Sequence, residues 1–153
     1  SMLYVNAKLY IVGDGDLLPQ IQHHVKRLSL ESKIVFLGKI PFNDLFKITH
    51  SADLGLSFED NTCLSYRYSL PNKIFDYINA EIPILVSDLP EFRNVIEADN
   101  IGEVIRKRNP KDVSRQINDM LSSPKLHWMP GLKSAKNKYN WQKQESRLLS
   151  LFS

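Results

Sequence analysis

Five short runs of aliphatic and β-branched residues, separated by segments of helical periodicity, constrain this chain more than any other feature. The runs are Leu9–Val12, Ile34–Leu37, Leu54–Ser57, Ile84–Val86 and Gly102–Ile105. Each run is nearly continuous in its apolar character, as expected of parallel strands that are covered on both faces. Strands that alternate with helices form βαβ units. The pattern therefore predicts a single α/β domain built on a doubly wound parallel sheet, without internal repeats.

The segments between these runs predict amphipathic helices. The first has apolar residues at spacings of three and four, which places one stripe on a helix. The apolar faces are Leu18, Ile21, Val25 and Leu28; Leu45, Phe46 and Ile48; Ile74, Phe75 and Ile78; Phe92, Val95 and Ile96; and Val113, Ile117, Met120 and Leu121.

Polar residues and prolines predict where these helices begin. Asp16 is expected to cap the first helix and Asn43 the second, because a side-chain oxygen can accept from free N–H groups there. Pro71, Pro90 and Pro110 predict the starts of three later helices, since a helix start tolerates the missing N–H of proline.

The two ends of the chain differ from its centre. The domain core is predicted to span about 8–122, and closing helices are predicted over about 130–152, with Trp141, Leu148 and Phe152 as anchors. Ser1 and Met2 read as a cloning remnant, so we expect a piece of a larger protein.

Composition excludes several functional classes. The 153 residues carry a net charge of +3 without a basic run, so no nucleic acid partner is expected. The single cysteine, Cys63, cannot form an internal disulfide. The longest apolar run, 82–86, is far shorter than the ~20 residues of a membrane span. We expect a cytoplasmic protein, with the full-length polypeptide peripheral at the inner membrane face as an open alternative.

Two glycine-containing turns follow the first two strands, at the sheet edge where open parallel sheets bind ligands. Gly13 and Gly15 would let backbone approach a ligand and would leave helix N–H groups free for an anion. Gly38, Lys39 and Ile40 would form a flat, backbone-lined slot for a base. From sequence alone a plain tight turn explains the first segment equally well, and for the second segment an ordinary strand-ending turn is the favoured explanation.

A long polar segment after the third strand is more informative. Residues 59–70 form a predicted loop of about a dozen residues, and long loops in compact domains are usually functional. The helix start at Pro71, Asn72 and Lys73 offers free N–H groups, the helix dipole and a mobile positive charge to an anion. Asp76, one turn further, is placed to accept the two hydroxyls of a ribose, although a solvated surface aspartate would look the same.

Taken in order, these segments resemble one family. They are Leu9–Gly15 (LYIVGDG), Val35–Gly38 (VFLG), Ala52–Leu56 (ADLGL), Pro71–Tyr77 (PNKIFDY), Pro83–Glu91 (PILVSDLPE) and Asn100–Gly102 (NIG). Their order and spacing over about Lys8 to Ser122 resemble the C-terminal half of a GT-B glycosyltransferase of family four, the glycosyl transferases group 1. The polar tail is similar to the closing helices of that family.

This resemblance implies a fold and an activity. The chain would be the donor-binding, Rossmann-like half of a GT-B enzyme, and an N-terminal acceptor domain would lie outside it. The donor would be a UDP- or GDP-linked hexose, and the acceptor a glycan or a lipid-linked sugar in polysaccharide biosynthesis. The resemblance further implies a retaining transfer without a metal or another cofactor, because the helix dipole and basic groups neutralise the diphosphate.

The resemblance also implies roles for individual residues. Gly13 and Gly15 would face the donor across the cleft, and the backbone of Gly38, Lys39 and Ile40 would hold the base.

At the third segment, the backbone of Asn72 and Lys73, after Pro71, would meet the diphosphate, and Asp76 would bind the ribose hydroxyls. Tyr68 stands where the family has an acid that contacts the sugar, so this contact departs from the family pattern. No residue is assigned to catalysis beyond that position.

Other functions remain as alternatives. A GT-B sugar-nucleotide epimerase would share the scaffold, and a non-catalytic α/β regulatory module would share the fold. A dinucleotide-dependent oxidoreductase is disfavoured, because Leu18 stands where a third glycine would be needed. The adjacent His23 and His24 point about 100° apart on a helix, so they do not suit one metal ion.

Overall fold

The computed structural model describes residues 6–140, 145 and 149, and its strands are all parallel. They are β1 (Leu9–Val12), β2 (Ile34–Gly38), β3 (Gly55–Ser57), β4 (Ile84–Val86) and β5 (Gly102–Val104). β1 pairs with β2, Leu9 opposite Ile34, in one sheet. β3, β4 and β5 form a second sheet in that order, with Ile84 opposite both Gly55 and Gly102. The predicted parallel α/β fold is confirmed, and the described strands are divided between these two sheets.

Between residues 6 and 140, seven α-helices connect and cover these strands. They are α1 (Leu18–Arg27), α2 (Phe42–Ser51), α3 (Leu64–Tyr68), α4 (Asn72–Asn79), α5 (Pro90–Asp99), α6 (Pro110–Ser122) and α7 (Met129–Lys138), with a 3₁₀ turn at Lys125–His127. The five predicted amphipathic helices are all present. A further helix that was not predicted, α3, lies within the segment predicted as a continuous polar loop, and it packs on α5.

Helix starts differ from the prediction at α1 and α2. α1 starts after Leu17 and α2 after Pro41, and neither receives a side-chain cap, so the expected roles of Asp16 and Asn43 are wrong. Proline at or near both starts restricts φ in place of a capping bond. Asn109 does cap α6, where its Oδ1 accepts from the N–H of Asp112 at 3.0 Å.

The chain end agrees in part with the prediction. α7 and the 3₁₀ turn close the fold on the side of α4 and α5. Glu145 and Leu149 are helical. The predicted anchors Trp141, Leu148 and Phe152 lie outside the described residues.

The hydrophobic core lies almost entirely in the half that contains β3, β4 and β5. Its fully buried side chains come mainly from β4, from α4, α5 and α7 and from the connections beside them, and Phe92 is the largest. Between residues 6 and 53, Val25 is the one buried hydrophobic side chain. The two sheets therefore differ sharply in how well they are covered.

Candidate functional site

A cleft of about 1490 Å³ lies between β1 and β3, and its lining extends from the amino ends of the strands to their carboxyl ends. Parallel sheets bind ligands at the carboxyl ends, close to helix N-termini. The cleft gathers five of the residues that sequence analysis singled out. They are Gly13, Lys39, Ile40, Lys73 and Asp76.

The two glycine turns contact each other at the cleft mouth. Gly13 has a φ of +115° and Gly38 one of +62°, and side chains are rarely tolerated in that region. The N–H of Gly13 donates to the carbonyl of Gly38 at 2.8 Å. Lys39 Nζ and Asp14 Oδ2, 2.8 Å apart, form an exposed ion pair across the same turns. A backbone hydrogen bond and an ion pair thus join the two turns.

The start of α4 offers backbone donors to an anion. Pro71 occupies the position before the helix, and no side chain caps the first turn. The leading N–H groups of a helix have no intrahelical acceptors, so those of Asn72 and Lys73 can meet a ligand. The helix dipole adds a partial positive charge at the same place.

Lys73 is held by an acid that sequence reasoning missed. Its Nζ lies 2.5 Å from Oε1 of Glu59, whose side chain is 16% exposed. Ser57 Oγ donates to the other carboxylate oxygen of Glu59 at 2.8 Å. The positive charge that the sequence predicts at Lys73 is therefore paired with a carboxylate in the structure. The detectable signal was the Ser57–Glu59 spacing of two residues, which places both side chains on one side of an extended segment.

Arg108 anchors the segment that carries Glu59. Its guanidinium donates to the Glu59 carbonyl at 3.1 Å and lies 2.6 Å from Oδ1 of Asp60. Arg108 follows β5, so the contact joins the carboxyl ends of β3 and β5. It fixes the backbone on which the Lys73 partner sits.

Asp76 lines the cleft and is half-buried. Burial raises the pKa of its carboxyl above the usual range, which means that solvation of the charged form is incomplete. A carboxylate in that condition gains more from hydrogen-bond donors than an exposed one does, and ribose hydroxyls are such donors.

Tyr77, beside Asp76, connects α4 to β3. Its ring lies so close to Gly55 that a Cβ there would be 2.6 Å from the ring atoms. Its hydroxyl donates to the Leu56 carbonyl at 3.2 Å. Burial raises the pKa of this phenol, and the charges of Asp76 and Glu59 raise it further.

Five of the predicted residues do not line the cleft. Gly15, Gly38, Pro71 and Asn72 stand in the turns just described, one to a few residues from a lining residue. Tyr68 ends α3 with an exposed side chain, and the Arg67 guanidinium carbon lies 5.6 Å from its ring centre.

A second cavity does not indicate a further binding site. A cavity of about 410 Å³ beside β5 contains charges that are paired with each other, among them Arg93 with Asp88 and Arg106 with Glu103.

Across residues 6–140, 145 and 149, no group of three His, Cys, Asp or Glu side chains could hold a metal ion. None of the helices in the same residues has the length and apolarity to cross a bilayer.

The sequence model of the family "Glycosyl transferases group 1" matches residues 2–137 of this chain. Two curated relatives are similar to this chain, one over nearly its whole length and one over a shorter part. Spore coat protein SA of Bacillus subtilis is 25% identical over 99% of this chain and 40% of its own length. Chitobiosyldiphosphodolichol beta-mannosyltransferase of Yarrowia lipolytica is 24% identical over 65% of this chain and 21% of its own. The chain thus spans less than half the length of these relatives.

The fold is similar to that of solved glycosyltransferases. Anabaena HepE, crystallised in complex with UDP, superposes with a TM-score of 0.72 over 97% of this chain and 42% of that chain, at 15% identity. WaaG, a glycosyltransferase involved in lipopolysaccharide biosynthesis, superposes with a TM-score of 0.64 over 86% of this chain and 33% of that chain, at 20% identity. At such identities the likeness shows the GT-B half-fold.

Proposed function

The chain belongs to the glycosyl transferases group 1, and on that premise we propose that it binds the nucleotide end of a UDP- or GDP-linked sugar. The observation that carries the proposal is the single cleft that gathers Gly13, Lys39, Ile40, Lys73 and Asp76. These groups supply a backbone wall, a cation beside a helix start, and a carboxylate. A nucleoside diphosphate presents a flat base, an anion and a ribose diol, so its three parts match the three kinds of group. The UDP complex of HepE supports the same class of ligand.

Each part of the ligand has a distinct partner in this proposal. The base lies against the backbone after β2, at Gly38 to Ile40. The ribose hydroxyls donate to the carboxylate of Asp76. The diphosphate meets the N–H groups of Asn72 and Lys73, where charge-assisted bonds are the strong ones.

The Glu59–Lys73 pair determines how the anion would enter. A diphosphate carries more negative charge than one carboxylate, so it competes for the Lys73 ammonium group. Glu59 keeps its bond from Ser57 when Lys73 turns away, because that bond is to the other carboxylate oxygen. The exchange lets Lys73 change partner without leaving a buried carboxylate bare.

The longer protein would transfer the sugar. We propose a hexose donor, a glycan or lipid-linked acceptor and a retaining outcome without a bound metal. Positive groups preorganised around the departing diphosphate would be the main catalytic contribution. An acceptor domain outside this chain is required, because holding both reactants in place supplies ~7–11 kcal/mol of the barrier.

The test is calorimetric titration of UDP and GDP, in the presence of EDTA, into the parent chain and into single variants. Asp76→Ala should weaken binding by about 1.5–3 kcal/mol, the scale of hydrogen bonds to a charged group. Lys73→Ala should weaken the binding of UDP and GDP but not of uridine or guanosine.

Lys125→Ala is the matched control. Lys125 also lines the cleft and is also paired with an acid, since its Nζ lies 2.9 Å from Asp53, but it lies at the opposite end. Equal losses in Lys73→Ala and Lys125→Ala would show a general charge effect and overturn the assignment. Unchanged affinity in Asp76→Ala, with unchanged melting, would remove the ribose contact.

A further inference from the structure

The turns after β1 and β2 leave an open surface at the carboxyl ends of these strands. A Cβ added at Gly13, Gly15 or Gly38 would meet no atom within 4 Å, so the space beside all three glycines is open. A planar ring can approach glycine backbone closely, because no side chain stands in its way. The surface therefore suits the face of a nucleotide base, at the place where the proposed function puts the base.

One ion pair stands beside this surface. Asp14 lies between Gly13 and Gly15, and Lys39 directly follows Gly38. Lys39 Nζ lies 2.8 Å from Asp14 Oδ2, so the pair bridges the two turns. Lys39 also lines the cleft. A carboxylate and an ammonium group are thus held side by side, next to the backbone on which a base would lie.

Stability does not account for this pair. The side chains of Asp14 and Lys39 are 57% and 78% exposed, and ion pairs with that exposure contribute little to folding. The two turns are already joined by the N–H of Gly13, which donates to the carbonyl of Gly38. Both charged side chains can therefore adjust to a ligand at little cost to the fold.

The pair presents three hydrogen-bonding atoms in a defined order. The ammonium group of Lys39 donates, whereas both carboxylate oxygens of Asp14 accept. Because Nζ lies against Oδ2, the order along the pair is one donor followed by two acceptors. A base that is complementary to the pair must offer one acceptor followed by two adjacent donors.

Guanine is the common base that offers this order. Its Watson–Crick edge, the edge that proteins read on an unpaired base, carries the O6 acceptor, the N1–H donor and the N2 amino donor. Uracil has one N–H between two carbonyl oxygens, so one oxygen of the Asp14 carboxylate would face an acceptor. Adenine and cytosine have one amino donor beside a ring nitrogen that accepts. The chemistry of the pair therefore favours guanine over the other three bases.

We propose that the Asp14–Lys39 pair selects guanine, so that the donor is a GDP-linked sugar and not a UDP-linked one. This inference rests on the proposed nucleotide site and names the nucleotide that the site takes. N1–H would donate to Oδ2 and the N2 amino group to Oδ1 of Asp14, while Lys39 Nζ would donate to O6. These bonds are charge-assisted and therefore strong. HepE was crystallised with UDP, but at 15% identity its likeness to this chain extends to the fold alone.

The test is calorimetric titration of GDP, UDP and inosine diphosphate, in the presence of EDTA, into this chain and its Asp14→Asn variant. The parent chain should bind GDP at least about tenfold more tightly than UDP, because UDP leaves one carboxylate oxygen unpaired. Inosine diphosphate lacks the N2 amino group, so the parent chain should bind it about tenfold more weakly than GDP. The variant should bind inosine diphosphate no more weakly than GDP.

Xanthosine diphosphate supplies the converse test. Xanthine has a carbonyl oxygen where guanine has the N2 amino group, so it repels a carboxylate and accepts from a side-chain amide. The Asp14→Asn variant should therefore bind xanthosine diphosphate more tightly than GDP, and the parent chain should show the opposite order. If Asp14 only joined the two turns, the substitution would weaken all four nucleotides alike, and that result would overturn the inference.

Asp16→Asn is the matched control. Asp16 is an exposed aspartate two residues further along the chain, and it makes no cap at α1. Its substitution removes the same charge and should leave the preference for GDP unchanged. Equal effects of Asp14→Asn and Asp16→Asn would show a general charge effect and overturn the inference.

The parent chain alone separates this inference from the proposed function. Equal affinity for GDP and UDP would overturn the selection of guanine and would leave the nucleotide site in place. If the chain bound neither nucleotide, both the inference and the proposed function would be wrong.

Discussion

The two sheets are built from similar strands, yet their surroundings differ. β4 is buried along its whole length, and α4, α5 and α7 complete a continuous core around it. β1 and β2 carry the same kind of residues, but two of the four residues of β1 are exposed. In the neighbouring helix α1, Val25 is the one buried residue. The apolar composition of a strand thus predicts that both its faces are covered. The elements that cover it come from other parts of the polypeptide.

The two halves contribute different kinds of group to the candidate site. Lys73, Asp76 and the Glu59 partner belong to the well-packed half, which fixes charged side chains in defined positions. Gly13 and Gly38 belong to the sparsely packed half, which contributes backbone. A site that draws its charges from a rigid half can tolerate a more adaptable wall opposite.

Removing one phenylalanine from each half should give the largest contrast. Phe92→Ala, at a fully buried position, should lower the free energy of unfolding by about 3–5 kcal/mol. Phe42→Ala, at a position 69% exposed on α2, should change it by less than about 0.5 kcal/mol. Urea unfolding followed by circular dichroism measures both. Similar losses in the two variants would mean that the halves share one core.

Glycine-to-alanine substitutions should sharpen the contrast at the backbone. A Cβ on Gly102 would lie 1.9 Å from the carbonyl oxygen of Ile84, so β4 or β5 must shift. We expect Gly102→Ala to cost about 3 kcal/mol, the upper end for overpacking. A Cβ on Gly15 would meet nothing within 4 Å, so Gly15→Ala should be near neutral in the same urea titration. A neutral Gly102→Ala would show that the packed half yields easily.

Helix caps offer a smaller test with a matched pair. Asn109→Ala should destabilise by about 1 kcal/mol, because it removes the acceptor for the N–H of Asp112. Asn43→Ala, in α2 of the sparse half, should cost less than about 0.5 kcal/mol, because Asn43 makes no cap. Thermal melting of both variants is the measurement. A larger loss in Asn43→Ala would restore the capping role expected from sequence.

Asp76→Asn should give the smallest effect on stability and the opposite sign. Burial raises the pKa of the Asp76 carboxyl in the folded state, so ionising it opposes folding. The parent chain should lose stability as pH rises from about 3.9, the unfolded value, through the raised folded value, and the variant should not. The variant should therefore melt slightly higher near neutral pH and equally at lower pH. A lower melting temperature near neutral pH would show that the carboxylate is stabilised by a partner.

Sequence periodicity located the strands to within one residue, since apolar runs and stripes are local properties. The starts of α1 and α2 were predicted incorrectly. Asp16 and Asn43 are suitable capping residues, but Pro19 and Pro41 fix φ at these helix starts and no side-chain cap forms. α3 was not predicted because its exposed residues Leu64, Ser65, Arg67 and Tyr68 leave no periodic signal. The interruption between β1 and β3 is a long-range property that no local pattern contains.

The candidate site was likewise predicted only where local sequence determines it. Residue type and position relative to a helix start brought Lys73 and Asp76 to one cleft. The pairing of Lys73 with Glu59, fourteen residues earlier, and the hold of Arg108 on that segment depend on how the loops fold back over the sheet edge. Charge partners across loops are chosen by tertiary geometry, and the sequence alone left Lys73 without one.

The contact between Tyr77 and Gly55 implies a rule for sequence variation. The aromatic ring occupies the space that a side chain at position 55 would need, so the two positions share one volume. Among homologous chains, a small residue in place of the tyrosine should accompany a larger one in place of the glycine. Chains that enlarge position 55 while keeping the tyrosine should be rare, because the ring would push α4, and Asp76 with it, away from β3.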